Sequence, residues 1–311
     1  MRSSMQIETI PFRTITPEDR AEYEAHLAVA GVRGCEFSFA NLYLWGRQSI
    51  AFLHGHALFF SQFNRRSVYP YPVGEGDKKA ALQAIINDAA ARGIPCRITG
   101  LSDTDKETLE QLFPNRFRFH CDEGSFDYVY DINDLADLPG KKYHAKRTNL
   151  NRFAEQFPAA HTEPLSPNNL AAVQALLNEW FESRLREDPD GDYHMERAAL
   201  QKALRDYEAL GLCGLVLMNE DRALAVTMGS LLSPDTMDVH FEKAAPDANG
   251  AYAAINCAFA RYVRENYPSV RFLDREEDMG LEGLRRAKKS YRPHHMIRKC
   301  WACLLEDGYD Y

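Results

Sequence analysis

Three β-rich runs in the second half of the chain, LCGLVLM, RALAVTMGSLL and TMDVHFEK, follow one another across short polar breaks at 219–221 and 233–235. Breaks of this kind are hairpin signals between strands. A nearly all-apolar helix, NGAYAAINCAFARYVREN, comes next, then the strand SVRFLD, then a charged helix within residues 273–293. The first half repeats this order. SIAFL and ALFFSQF flank HGH, VYPYPV precedes the Gly-led helix GDKKAALQAIINDAAARG, PCRITG is the next strand, and a further helix covers 103–113. The likeness is one of pattern, without sequence identity. Each half reads as a mixed sheet flanked by helices, an α/β (α+β) architecture.

At 311 residues the chain exceeds what one compact core ordinarily organises. The link is placed at NDLADLPG, residues 133–140, where Pro139 and Gly140 break regular structure. Two domains are therefore expected, 1–138 and 139–311, the second entered by a basic helix. A hydrophobic fraction of 45% and a charged fraction of 26% mark a chain folded throughout.

No stretch approaches the run of about 18 apolar residues that crosses a bilayer, and the first residues have no apolar core for a signal peptide. A cytoplasmic location is expected. The seven cysteines are an odd, scattered set, several inside apolar segments, which predicts reduced thiols and no disulfide framework. Cys300 and Cys303, in CWAC, have redox or zinc spacing, but no second pair completes four ligands, and no metal site is expected.

A net charge of −8 makes the surface repel nucleic acid and anionic lipid on average, so either partner would need a local basic patch. One lies in GKKYHAKRTNLNRFAEQF, residues 140–157. Tyr143, Leu150, Phe153 and Phe157 recur at helical spacing and leave Lys141, Lys142, Lys146, Arg147 and Arg152 around the remainder. Such a helix is either a solvated face or an anion-binding surface for lipid headgroups or RNA.

Alternation along TMDVHFEK puts Met237, Val239 and Phe241 on one face and Asp238, His240 and Glu242 on the other. A polar face on a centrally placed strand must line water, a cleft or a partner, which makes His240 and Glu242 site candidates. Asn249 and Gly250 open the apolar helix, with Asn249 as expected N-cap, and its exposed N–H groups would suit a phosphate or carboxylate. Asn256, among apolar neighbours in that helix, needs a hydrogen-bond partner. In the charged helix, Leu281, Leu284, Ala287 and Tyr291 form an apolar face that includes Lys288 and is flanked by Arg285. Two readings stand: an ion-pair cluster with Glu276, Glu277 and Asp278, or a grip by Arg285 and Lys288 on a ligand anion.

Together, KKYHAKRTNLNRF, HFEKA, GAYAAIN and REEDMGLEGLRRAKKSYRP resemble a bacterial family grouped with the C-terminal catalytic domain of phosphatidylglycerol lysyltransferases, over about Phe12 to Lys299. The resemblance implies two tandem acetyltransferase-like (GNAT-like) domains, each a mixed, mostly antiparallel sheet, as in the Fem peptidyltransferases. It implies an acyl-transfer cleft in the second half: His240, Glu242 and Lys243 on the strand, Gly250, Tyr252 and Asn256 at the helix, and Arg275, Glu276, Asp278, Arg285 and Lys288 on the far wall, with Tyr291 beyond. The segment KAAPDANGAY lacks the Gly-rich pyrophosphate loop of ordinary acetyltransferases, which weighs against acetyl-CoA.

The expected activity is transfer from an activated donor, aminoacyl-tRNA or acyl-CoA, to an amine or hydroxyl, with Glu242 or His240 accepting the proton and Arg285 and Lys288 holding the donor's anionic part. No cofactor beyond the donor is required. The alternative is a non-catalytic protein that binds tRNA, an anionic lipid headgroup or a small acidic metabolite.

Overall fold

The computed structural model describes residues 9–63 and 66–305. Its contacts divide the chain into two compact units, Met1–Phe126 with Ile297–Tyr311, and Asp127–Met296. This differs from a division at 138/139 because strand pairing, not the Pro-Gly break, sets the boundary. Residues Asp127–Asp131 pair within the second unit's sheet, and the strand Cys300–Leu304 joins the sheet of the first.

The first unit contains β1 (Arg13–Thr14), α1 (Arg20–Ala28), α2 (Phe39–Leu44), β2 (Gln48–Leu53), β3 (His56–Phe63), β4 (Arg66–Pro70), β5 (Val73–Gly74), α3 (Lys78–Arg92), β6 (Arg97–Leu101), α4 (Asp103–Leu112) and β7 (Phe117–Cys121). Its sheet runs β1-β2-β3-β4-β6, then the strand Cys300–Leu304, then β7, with β5 attached to β3. Among the described residues of this sheet only β4 and β6 are parallel, and α3 supplies the crossover that a parallel pair needs. The hairpin β2–β3 turns on His54 and Gly55, both with positive φ (54° and 76°), as a two-residue turn demands. Cys121 and Cys300 are direct cross-strand partners joined by a disulfide, which corrects the expectation of reduced thiols at these two positions; Cys35, Cys96, Cys213, Cys257 and Cys303 are buried thiols outside any disulfide.

The second unit contains β8 (Asp127–Asp131), α5 (Ile132–Asp137), α6 (His144–Gln156), β9 (His161–Pro164), α7 (Leu170–Glu187), α8 (His194–Arg205), β10 (Cys213–Asn219), β11 (Arg222–Ser233), β12 (Thr236–Ala244), α9 (Ala251–Asn266), β13 (Phe272–Asp274), α10 (Glu282–Lys289) and β14 (His295–Ile297). The sheet order is β14-β8-β13-β12-β11-β10-β9. The three β-rich runs of the sequence are β10, β11 and β12, a meander. As in the first unit, a parallel pair, here β12 with β13, is joined by a crossover helix, α9. Strands β10–β12 are buried on both faces because helices cover both. Consecutive residues of β12 show it: Glu242 reaches Asn256 on α9, whereas Lys243 reaches Trp180 on α7 and Glu196 on α8. Among the described residues no helix is long and apolar enough to cross a membrane.

In the first unit α3 buries Leu82, Ile85, Ile86 and Ala89 together with one carboxylate, Asp88. Asp88 accepts from the Ile10 N–H (2.8 Å), the Tyr69 hydroxyl (2.7 Å) and Arg92 Nε (2.6 Å), so that it ties the chain's start and β4 to the helix. Asp88→Ala leaves these donors without their acceptor and is expected to lower unfolding free energy by about 3 kcal/mol in urea titrations.

Candidate functional site

Pairing of β12 with β13 is limited to Thr236↔Phe272, Met237↔Leu273 and Asp238↔Asp274. Beyond that point β12 continues to Ala244 beside β11, while the other chain stays with β8: Arg275 N–H donates to Tyr128 O (2.9 Å) and Tyr128 N–H to Glu276 O (3.1 Å). The two parallel strands part, and a wedge opens between them. Asp238, His240 and Glu242, on the α9 face of β12, meet Arg275 and Glu276 across it.

At the mouth, Glu242 Oε1 accepts from Arg275 (2.9 Å) and Oε2 from Asn256 Nδ2 (3.4 Å). Asn256 Oδ1 is buried and has no hydrogen-bond partner among the described residues. The Arg275 guanidinium lies 5.0 Å from the Tyr291 ring centre and 5.7 Å from that of Tyr130, within cation–π range. On the other side of Tyr291, Lys146 Nζ stands 3.8 Å from the ring centre and donates to Ser290 Oγ (2.7 Å). Burial, then the charge of Arg275, lowers the pKa of Lys146. Burial pushes the Tyr291 hydroxyl up to about 12.

At the floor, His240 has a side chain with 0% exposure. Its Nε2 is 2.7 Å from Ser230 Oγ, and its Nδ1 lies 3.4 Å from Asp238 Oδ2 and 3.5 Å from Glu276 Oε1. The face expected to be wet is thus sealed at Asp238 and His240 and opens only at Glu242. His240, with no exposed surface and Nε2 engaged, is not placed to take a proton from a substrate. Glu276 itself has φ 60°, a left-handed conformation that costs a non-glycine residue about 1–2 kcal/mol.

The turn after β13 is held from α10. Asp278, wholly buried, accepts from Arg285 Nε (2.8 Å), the Tyr128 hydroxyl (2.7 Å) and the Gly280 N–H (2.8 Å). Lys288 Nζ donates to the carbonyls of Arg275 and Glu276. Arg285 and Lys288 therefore fix the backbone that carries Arg275 and Glu276, and the expectation that they grip a ligand is replaced by the ion-pair reading. The expected apolar face of α10 is also corrected: Leu281 is exposed, the helix starts at Glu282 and buries no residue, and only Tyr291, past its end, enters the core.

Other expected residues fall elsewhere. Lys243 lies on the opposite face from Glu242, paired with Glu196 (2.5 Å) over the Trp180 ring (3.7 Å), and Trp180 Nε1 donates to Tyr252 Oη (3.0 Å). Asn249 is exposed and is not the N-cap; Gly250 is, with φ 86° and no side-chain cap. A Cβ on Gly250 would meet Asn149 O at 2.9 Å and Phe153 Cβ at 3.1 Å, so glycine is needed where α6 packs on the start of α9.

The basic helix is split. Lys141 and Arg152 are exposed, Lys142 pairs with Asp134 (2.9 Å), Arg147 donates to the Leu138 and Gly140 carbonyls, and Lys146 turns to the wedge. His144, Arg147 and Asn151 of α6 and Arg261 of α9 line a separate cavity of about 420 Å³. Sequence reasoning missed Lys146 as a wedge residue, as well as Tyr130, Ser230, Trp180 and Glu196. Ser230 stands opposite Asp238 because the β11–β12 register shifts between Leu231 and Ser233, which a register counted from the turn does not give.

The family described as phosphatidylglycerol lysyltransferase, C-terminal, matches residues 28–303 of the chain. Among solved structures, a conserved protein of unknown function from Bacteroides thetaiotaomicron is 37% identical, with a TM-score of 0.89 over 96% of this chain and 100% of that one. L-PGS from Bacillus licheniformis is 16% identical, TM-score 0.68, covering 95% and 94% of the two chains. FemX is 12% identical, TM-score 0.60, covering 95% and 98%. Comparison with curated proteins finds no match. The fold is the tandem acetyltransferase-like one that the resemblance implied.

The Arg285 guanidinium, opposed by burial and assisted by Tyr128 and the Gly280 N–H, lowers the pKa of Asp278 to about 2. A carboxylate depressed on folding stabilises the native state above its unfolded pKa, and that contribution is lost as pH falls through the folded value. Arg285→Met is expected to lower stability by on the order of 1–2 kcal/mol at neutral pH, with the deficit closing as pH falls from about 4 toward 2, in urea titrations across pH.

Proposed function

Because the chain belongs to the phosphatidylglycerol lysyltransferase C-terminal family, we propose that its second unit moves an aminoacyl group from the ester of an aminoacyl-tRNA to an amine or hydroxyl acceptor. Family and fold support acyl or aminoacyl transfer in general. The observation that carries the finer reading is the pairing of Glu242 with Asn256 at the mouth of the wedge. A partly exposed carboxylate, held on one oxygen by Arg275 and on the other by Asn256 Nδ2, is set there to accept a hydrogen bond.

An attacking N–H or O–H is the donor this carboxylate suits. As the nucleophile bonds to the ester carbonyl carbon, its proton passes to Glu242, and the carbonyl oxygen gains charge. Arg275, held by Glu242 and by Tyr291 and Tyr130, has further N–H groups for that oxygen. The ester C–O bond then breaks, and the leaving hydroxyl takes the proton. Ser230, His240 and Asp238 have the order of a nucleophile, base and acid, but Ser230 is buried and His240 sealed, so the transfer is direct.

The exposed Lys141 and Arg152, with the cavity beneath Arg147 and Arg261, suit the donor's phosphates. The same feature favours the second reading, a protein that binds tRNA, acidic lipid or a small acidic metabolite without transfer.

Glu242→Gln is expected to reduce kcat for transfer from a labelled aminoacyl-tRNA pool by about 10²–10⁴-fold, with KM little changed. Full activity in the folded variant would overturn the assignment, and acyl-CoA supplied in place of charged tRNA tests the other donor. Replacing Lys141 and Arg152 with Gln is expected to lower the slope of log affinity for tRNA against log salt by about 0.7–0.9 per residue, read by fluorescence anisotropy. Retained tRNA binding by a Glu242→Gln protein that lacks wild-type transfer separates binding from catalysis.

A further inference from the structure

We propose that Asp238, His240 and Glu276 form a binding site for a divalent transition-metal ion, best matched by zinc, at the floor of the wedge. One ligand atom from each residue lies within 4.8 Å of the others. Two carboxylates and an imidazole are a donor set that zinc accepts.

The distances decide between the two states open to these groups. In one, a protonated imidazole bridges the carboxylates, and charge-assisted N–H···O contacts of about 2.7–2.9 Å are expected. In the other, the groups surround a cation. Ligands at about 2.1 Å from a tetrahedral centre stand about 3.4 Å apart, against about 3.0 Å at an octahedral edge. His240 Nδ1 is 3.4 Å from Asp238 Oδ2 and 3.5 Å from Glu276 Oε1, too long for the first state and matched to the tetrahedral one.

A second observation is independent of the carboxylates. His240 Nδ1 is buried, lies near both and has no hydrogen-bond partner among the described residues. Its other nitrogen is engaged by Ser230 Oγ at 2.7 Å, so Ser230 fixes the ring as outer partners of metal-bound histidines do. Two carboxylates and a neutral imidazole around a dipositive ion also bring the buried cluster to zero net charge.

Side-chain exposure rises from 0% at Asp238 and His240 to 24% at Glu276, so the site has an entrance on the turn side. The ion would join β12 to the turn after β13 where the strands part. With three protein ligands, its fourth vertex is open to water or a substrate oxygen.

The test is equilibrium zinc binding by the full chain after chelator treatment, and it needs no transfer activity. The wild type is expected to take up one equivalent in calorimetry, to gain thermal stability that chelator removes, and to show the visible bands of tetrahedral cobalt on substitution. Glu276→Gln, at the partly exposed ligand, is expected to weaken binding on the order of 100-fold or more, and Ser230→Ala by about 10-fold. Should His240→Asn fail to fold, these two variants still decide the matter. The exposed pair His294 and His295 could collect zinc by itself, so His294→Ala with His295→Ala must leave uptake intact. No uptake by wild type, unchanged affinity in Glu276→Gln, or uptake abolished by the His294/His295 double change would each overturn the site.

Discussion

The second unit is organised by a pairing that stops early. Two parallel strands share three residue pairs and then diverge, because one follows β11 and the other follows β8. Beyond Asp238, the β13-side edge of β12 has no strand partner among the described residues, although both faces of the strand remain under helices. Backbone N–H and C=O groups along such an edge must be met by water, side chains or a guest. The wedge is therefore a consequence of topology, and the side chains along it need only finish what the backbone begins.

Keeping the wedge open requires the chain after Asp274 to hold a shape it would not choose. Glu276 and Met279 both adopt left-handed backbone, and strain of this sort persists only where surroundings over-determine it. Asp278 gathers Arg285, Tyr128 and the Gly280 N–H, and Lys288 clamps the carbonyls on either side of the bend. This explains the density of opposite charge in REEDMGLEGLRRAKK. Arg285 and Lys288 of α10 thereby fix the backbone from which the Arg275 side chain leaves.

The meander, the crossover helix and the alternation of β12 were legible because each depends on local periodicity. What depends on long-range pairing was not. β8 belongs with β13, more than 140 positions away, and Cys121 meets Cys300 at a separation of 179 residues, so neither the unit boundary nor the disulfide could be read from neighbouring residues. Lys243 was grouped with Glu242 on chemical type, although adjacent strand residues face opposite ways. Asn249 has the composition of an N-cap, but the approach of α6 shifts that place to Gly250, and packing between helices leaves no mark in a single segment. Lys146 looked like one more charge on a solvated helix, because only its contact with Tyr291 distinguishes it.

The two units share the parallel pair and its crossover helix but differ in the course of the chain beside it. In the first, β4 ends at Pro70 and the chain is drawn away at once into β5, which pairs with β3. The segment between β5 and α3 is then filled by the protein itself: a Cβ on Gly74 would meet Gly55 O at 2.6 Å, and one on Gly76 would collide with His54 O, so the β2–β3 turn occupies that ground. Where glycines in such a loop could have admitted a phosphate, they here admit a neighbouring hairpin. In the second unit β12 runs six residues past its last β13 partner, from Val239 to Ala244, and the polar side chains on its α9 face beyond that point are His240 and Glu242. The difference between the two units thus lies in where the first strand of the pair goes after the pairing ends.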